Sequence, residues 1–192
     1  MRYLVSIVLL LCTSCIQIGS DPQPMRYYLL ESMPEAPNIY SNKTFIINLK
    51  LVDFPDYLDR LQIVTRDKNN GIEFSDLERW AEPLQDNLTR ILRENLALVL
   101  PEANILINPW ENSSNNAIKV KLVVNKILGK LGDHSQVDVR WTIENDRGQT
   151  IQGHFIDRQP IGNSYQDLVV GLNNGINHLS VELAKELVKQ LN

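Results

Sequence analysis

Past residue 15 this chain has no cysteine, because its two thiols, Cys12 and Cys15, both fall at its start. A body without thiols forms no disulfide, holds no thiolate-bound metal and offers no cysteine nucleophile. Its stability must come from an apolar core. Roughly 170 residues suffice for that, since a domain of this size buries about 70% of the surface its unfolded chain exposes. Positive charge is also in short supply. Lysine and arginine number 19 against 23 aspartates and glutamates, for a net charge of -4. That balance excludes nucleic acid as an expected partner, because a phosphate backbone calls for a basic face. No segment beyond the leader approaches 18 uninterrupted apolar residues, so no later span is expected to cross a membrane. Chemical motifs are missing too: there is no Gly-rich phosphate loop, no G-x-S-x-G and no HExxH. His134, His154 and His178 have no ligand spacing among them. Asp53, Asp56 and Asp59 lack the alternating spacing and glycine turn of a calcium loop. The abundant asparagine and glutamine fit a polar surface. The expectation is a protein with no catalytic residues, no metal and no cofactor.

What is present begins at the N-terminus. Arg2 supplies a small basic region, Tyr3 to Leu11 is an apolar run with one serine, and Thr13 and Ser14 precede Cys15. The apolar run is too short to span a bilayer and has the length of a signal-peptide core. Small residues directly before a cysteine are what lipoprotein signal peptidase requires. Residues 1–14 are therefore expected to be removed, leaving Cys15 with an S-diacylglycerol on its thiol and an N-palmitoyl chain on its freed amine. Several acyl chains anchor stably where one is marginal, since each buried methylene contributes roughly 0.8 kcal/mol. Ile16 is not the aspartate of inner-membrane retention, so the outer membrane is the expected destination. The Pro- and Gly-containing tether that completes residues 15–24 follows, and its stretch from Gln17 to Pro24 reaches at most about 28 Å. The domain is then held close to the membrane on its periplasmic face.

Residues 25–192 read as one α+β domain. A strand is expected from Arg26 to Glu31 and another from Thr44 to Phe54, where Phe45, Ile47, Leu49 and Leu51 alternate with mostly polar neighbours. Short strands follow at Gln62 to Arg66 and Gly71 to Ser75, around the turn signal Asn69-Asn70-Gly71. Pro83 marks the start of a helix with a Leu84, Leu88, Ile91, Leu92, Leu96 stripe. A rival start at Ser75, with Glu78 completing a capping box, would place Pro83 inside the helix at about 3 kcal/mol. After a polar loop, Asn108 to Asn116, the alternation of Ile118 to Leu128 and of Val137 to Ile143 gives two half-buried strands. The turn Asn145-Asp146-Arg147-Gly148 leads from the second into Gln149 to Ile156. A second helix starts at Ser164, with Leu168, Leu172, Ile176, Leu179, Leu183, Leu187 and Leu191 at helical spacing. The expected architecture is a two-layer sandwich, an antiparallel sheet carrying two amphipathic helices on one face.

Several strings are more specific than this patterning. Phe54-Pro55-Asp56-Tyr57-Leu58-Asp59-Arg60, Gln62-Ile63-Val64-Thr65-Arg66, Arg79-Trp80-Ala81-Glu82-Pro83-Leu84 and Leu92-Arg93-Glu94-Asn95-Leu96, with Tyr27-Tyr28-Leu29-Leu30 near the start, resemble the paraquat-inducible protein C family. These are lipoproteins in the wider class of ABC-type transport auxiliary components. The resemblance implies a non-enzymatic component of the Pqi system at the outer membrane. Its partner there would be the periplasm-spanning MCE-repeat protein of an intermembrane lipid transport machine. The ring symmetry of such a partner favours a homo-oligomer. Phe54, Tyr57 and Leu58, apolar groups in a Pro- and Asp-rich connection, are the candidate partner-binding residues, with folding back of Tyr57 and Leu58 to cap the core as the equal alternative. Arg60 and Arg66 are expected to pair with Asp56, Asp59 or Asp67, and Trp80 to plug the core. Lys119, Lys121, Arg140 and Arg158 form a solvated face that is a second candidate surface. The competing function is a periplasmic lipid-binding or envelope-assembly chaperone with an apolar cavity between sheet and helices.

Overall fold

A computed structural model describes residues 23–35, 37, 39, 43–107 and 117–191. The leader, Cys15, most of the tether and the loop 108–116 lie outside the described residues. Eight strands and two helices follow the order β1 (Arg26–Tyr28), β2 (Phe45–Asp53), β3 (Gln62–Arg66), β4 (Ile72–Trp80), α1 (Leu84–Val99), β5 (Ala103–Ile107), β6 (Ala117–Lys130), β7 (His134–Glu144), β8 (Thr150–Pro160) and α2 (Tyr165–Gln190). All eight strands share one open sheet. The α+β class is as the sequence reads, and alternation does place the strands. Along β6, Ile118, Val120, Leu122 and Val124 are buried while Lys119 and Lys121 are exposed.

Neighbour direction differs from the reading. The β6–β7–β8 meander and the β3–β4 pair are antiparallel, but β2 runs parallel to both β5 and β6, β3 parallel to β6, and β1 parallel to β4. The sheet is therefore mixed. A period of two reports which face is buried and is blind to which way the neighbour runs. β6 is the axis of the sheet. Its first half pairs with β2, and near its end Gly129 pairs with Thr65 of β3. β2 and β3 thus lie end to end along one edge of β6, joined by residues 54–61, while β7 occupies the other edge.

Both helices cover the same face and pack against each other, α1 over β2 and β5 and α2 over β6, β7 and β8. Leu84, Leu88, Ile91, Leu92 and Leu96 of α1 are buried, as are Leu168, Leu172, Ile176, Leu179, Leu183 and Leu187 of α2. Each fully buried leucine contributes about 1.5–3 kcal/mol of transfer free energy. The Ser164 N-cap forms, with Asp167 N donating to its hydroxyl and the Asp167 carboxylate accepting from Ser164 N. Pro83 caps α1, and the rival signal at Ser75 lies inside β4. There Ser75 Oγ accepts from Glu78 N at 3.0 Å, the local bond of a capping box without the helix. β4 extends to Trp80, which is buried as expected. β5 has no counterpart in the sequence reading. Its five residues are too few to display a period between Pro101 and the following loop.

Candidate functional site

Two regions draw on residues that the sequence singled out, the end of the domain beside the tether and the connection between β2 and β3. At the first, β1 is only three residues long, shorter than the strand expected to Glu31. Residues 29–33 leave the ladder, and asparagine side chains take over the backbone groups that a neighbouring strand would have satisfied. Asn87 of α1 accepts from Leu30 N at 2.7 Å and donates to Leu30 O at 3.2 Å. Asn173 of α2 accepts from Glu31 N at 3.1 Å, and Asn95 of α1 accepts from Met33 N at 2.8 Å. Asn95 also donates to Asn177 Oδ1 and to Ser180 Oγ on α2. Asn87 and Asn95 are 1% and 0% exposed, so these two asparagines are core residues and not part of the polar surface the composition suggested. Their eight-residue separation puts them on one face of α1, among leucines, where a polar side chain must find partners.

The preceding residues are tied as firmly. Glu78 of β4, buried with Trp80, accepts from Arg26 and from the Tyr28 hydroxyl at 2.8 Å. The Tyr28 hydroxyl is held above its ordinary pKa by burial first, with the Glu78 hydrogen bond and charge adding to it. Ala81 N donates to Tyr28 O at 2.8 Å. Every residue from Arg26 to Met33 thus lies within a short stretch clamped to β4, α1 and α2.

At the second region, Pro55 opens a short 3-10 turn, Asp56–Leu58. Leu58 is 1% exposed and belongs to the core, so of the three candidate docking residues it presents nothing to a partner. Phe54 and Tyr57 are half-buried and pack against the same core, each keeping an outer surface. The Tyr57 hydroxyl approaches Asn125 O of β6 at 3.4 Å. Burial raises its pKa, Arg66 opposes this and Asp138 adds to it. Arg60 does not pair with Asp56 or Asp59: its guanidinium lies 4.0 Å over the Phe74 ring of β4, a contact of about 0.5–1 kcal/mol at exposed sites. Arg66 donates to Asn70 O instead of an aspartate.

The register aligns the face opposite the helices. Across β6, β7 and β8 it carries Lys119, Glu144 and Thr150 in one row, Lys121, Thr142 and Gln152 in the next, and Arg140 beside His154 further along. Lys119 pairs with Glu144 at 2.7 Å. In the middle Asp138 is 7% exposed, accepting from Asn125 Nδ2 at 2.7 Å and facing His154 Nε2 at 2.8 Å. Burial works against its ionisation, but the bonds from Asn125 and His154 outweigh that and hold its carboxyl below the ordinary value. All three histidines sit beside aspartates, His134 by Asp133 and His178 by Asp157. Among the described residues, no group of three or more His, Cys, Asp or Glu is arranged to hold a metal ion.

A helix-covered open sheet with an embedded N-terminal segment and a charged bare face defines an α+β domain. The sequence matches the family of ABC-type transport auxiliary lipoprotein components over residues 27–184, and the chain belongs to that family. Its fold is similar to that of a structure described only as an uncharacterised protein, at TM-score 0.73 and 21% identity, covering 86% of this chain and 99% of that one. A Xanthomonas campestris protein of the DUF330 family is similar at TM-score 0.71 and 11% identity, covering 85% and 95%. No curated protein matches the sequence.

Proposed function

We propose that this transport auxiliary lipoprotein is the outer-membrane component of a Pqi-type intermembrane lipid transport system, where it docks the periplasm-spanning MCE-repeat protein and catalyses nothing. The observation that carries the reading is the family match across nearly the whole domain. In this reading Cys15 bears the N-palmitoyl and S-diacylglycerol groups, and residues 15–24 form the leash. The clamp on residues 26–33 supports it, because a pull on the anchor reaches the core within a few residues of the leash. Holding the domain at the membrane raises the effective concentration of a weak docking contact to the millimolar range. Phe54 and Tyr57, backed by buried Leu58, with Lys119, Lys121 and Arg140 on the bare face, form the docking surface. β8 pairs only with β7 among the described residues, and its eleven-residue free edge is suited to a homo-oligomer.

The chaperone alternative needs an acyl-sized space between sheet and helices. A Cβ on Gly171 would meet Ser135 Oγ at 2.5 Å, and one on Gly175 would meet Val137 Cγ2 at 2.7 Å. α2 therefore lies directly on β7 there, with no room for a chain.

The test is capture of the MCE-repeat protein from solubilised envelopes. Phe54→Asp with Tyr57→Asp is expected to abolish capture while leaving outer-membrane fractionation and palmitate labelling intact. Cys15→Ala is expected to release a soluble periplasmic protein that takes up no palmitate. Undiminished capture by the double variant, or labelling of Cys15→Ala, refutes the corresponding part of the reading.

A further inference from the structure

At the far end of the bare face, four cations converge on a concavity of about 370 Å³. Arg66 reaches it from β3, Lys126 and Lys130 from β6, and Arg158 from β8. The register explains the convergence. Thr65 pairs with Gly129, which sets Arg66 beside Lys130, and Gln136 stands opposite both Leu128 and Arg158. Lys126 and Lys130 lie four residues apart on one face of β6, roughly 13 Å along the strand. The β3–β4 hairpin, with Asn70 at its turn, forms the remaining wall.

One carboxylate lines the same space, and it is already engaged: Asp133 lies 3.6 Å from Lys130 Nζ and 2.8 Å from His134 Nδ1. Asp138, opposite Lys126 in the register, is occupied by Asn125 and His154. Arg66 spends one donor on Asn70 O. Lys126 makes no hydrogen bond, though its charge acts on Asp138 across the strand pair, and Arg158 makes no hydrogen bond or ion pair among the described residues. Four positive charges against two carboxylates, Asp133 and Asp138, leave a local positive excess in a chain whose net charge is -4. Such crowding is unfavourable until an anion relieves it. Two guanidiniums on opposite walls are suited to bidentate contact with a tetrahedral oxyanion, and the lysines add point charges.

We propose that this concavity binds a phosphate group, either free or as the headgroup phosphate of a glycerophospholipid. The assignment stands apart from the docking reading, and failure to capture an MCE-repeat protein leaves it untouched. The experiment titrates the full lipidated chain, in nonionic detergent, with inorganic phosphate and with dihexanoyl phosphatidylglycerol by calorimetry. At least one probe is expected to bind, with an affinity that falls as salt rises. Arg66→Gln and Arg158→Gln are each expected to weaken it roughly tenfold, the scale of one lost charge-assisted bond. Arg158→Lys is expected to lose less, and Lys185→Gln, an exposed cation of α2 on the other side of the sheet, to change nothing. Binding of both probes identifies free phosphate as a sufficient ligand, and binding of the lipid alone identifies the headgroup. If Arg158→Gln lowers the melting temperature, Lys126→Gln replaces it as the reporting variant. No binding of either probe, or equal binding by wild type and the groove variants, overturns the proposal.

Discussion

Replacing Asn87 with alanine removes two hydrogen bonds at once and leaves a buried backbone pair without partners. Leu30 is 1% exposed, its N–H reaches only the Asn87 carboxamide oxygen at 2.7 Å, and its carbonyl receives the carboxamide N–H at 3.2 Å. Leaving a buried donor or acceptor unsatisfied costs about 1–3 kcal/mol each. The two together, softened where the chain relaxes or admits water, amount to about 3 kcal/mol. Helix propensity pulls the other way, since alanine is preferred to asparagine in a helix by about 0.6 kcal/mol. The net loss is therefore about 2.5 kcal/mol, or about 5–10 °C in melting temperature for a domain of this size. The assay is urea denaturation of the full chain, followed by circular dichroism, alongside hydrogen exchange at the Leu30 amide. Exchange there is expected to speed up far more than at α2 amides, because residues 29–33 detach before the sheet opens. Asn87→Asp keeps the acceptor but buries an unpaired carboxylate against the Leu30 carbonyl, so at neutral pH it is expected to lose at least as much as alanine. A loss below about 0.5 kcal/mol, or an unchanged Leu30 exchange rate, refutes the claim that this side chain stands in for a missing strand.

Other changes test the packing and the charge network. Gly175→Ala normally gains about 1 kcal/mol in a helix interior. Here the new methyl meets Val137 Cγ2 at 2.7 Å and Asp157 Oδ2 at 3.1 Å, and overpacking at about 1–3 kcal/mol turns the change into a net loss in thermal melts. The exposed neighbour Asn174→Ala gains stability instead. Ser164→Ala removes the α2 cap and costs about 1 kcal/mol by urea denaturation. Asn125→Ala raises the Asp138 pKa, measured by carboxyl NMR titration. Because the folded-state value lies below the ordinary 3.8, the stability it contributes is present above about pH 4 and lost as pH falls through the folded value. The gap between wild type and Asn125→Ala is thus widest near neutrality and narrows in acid.

The chain's own pattern determined which faces are buried, where the helices start and the class of the fold. Alternation along β6 and β7, the leucine stripes of both helices and the Ser164–Asp167 box are local signals, readable because side-chain direction repeats every two or 3.6 residues. The strings around Phe54 and Trp80 carried the family. Tertiary structure alone decided strand direction, the existence of β5 and the fate of the asparagines. Parallel pairing of β2 with β6 joins segments more than 60 residues apart, and nothing in either strand's period records its neighbour. Asn87 and Asn95 look like surface residues until residues 29–33 are laid against α1, and Leu58 looks like a docking side chain until the 3-10 turn folds it inward. The basic concavity is assembled from four cations on three strands. Charge at a point in space is a sum over neighbours that only folding brings together.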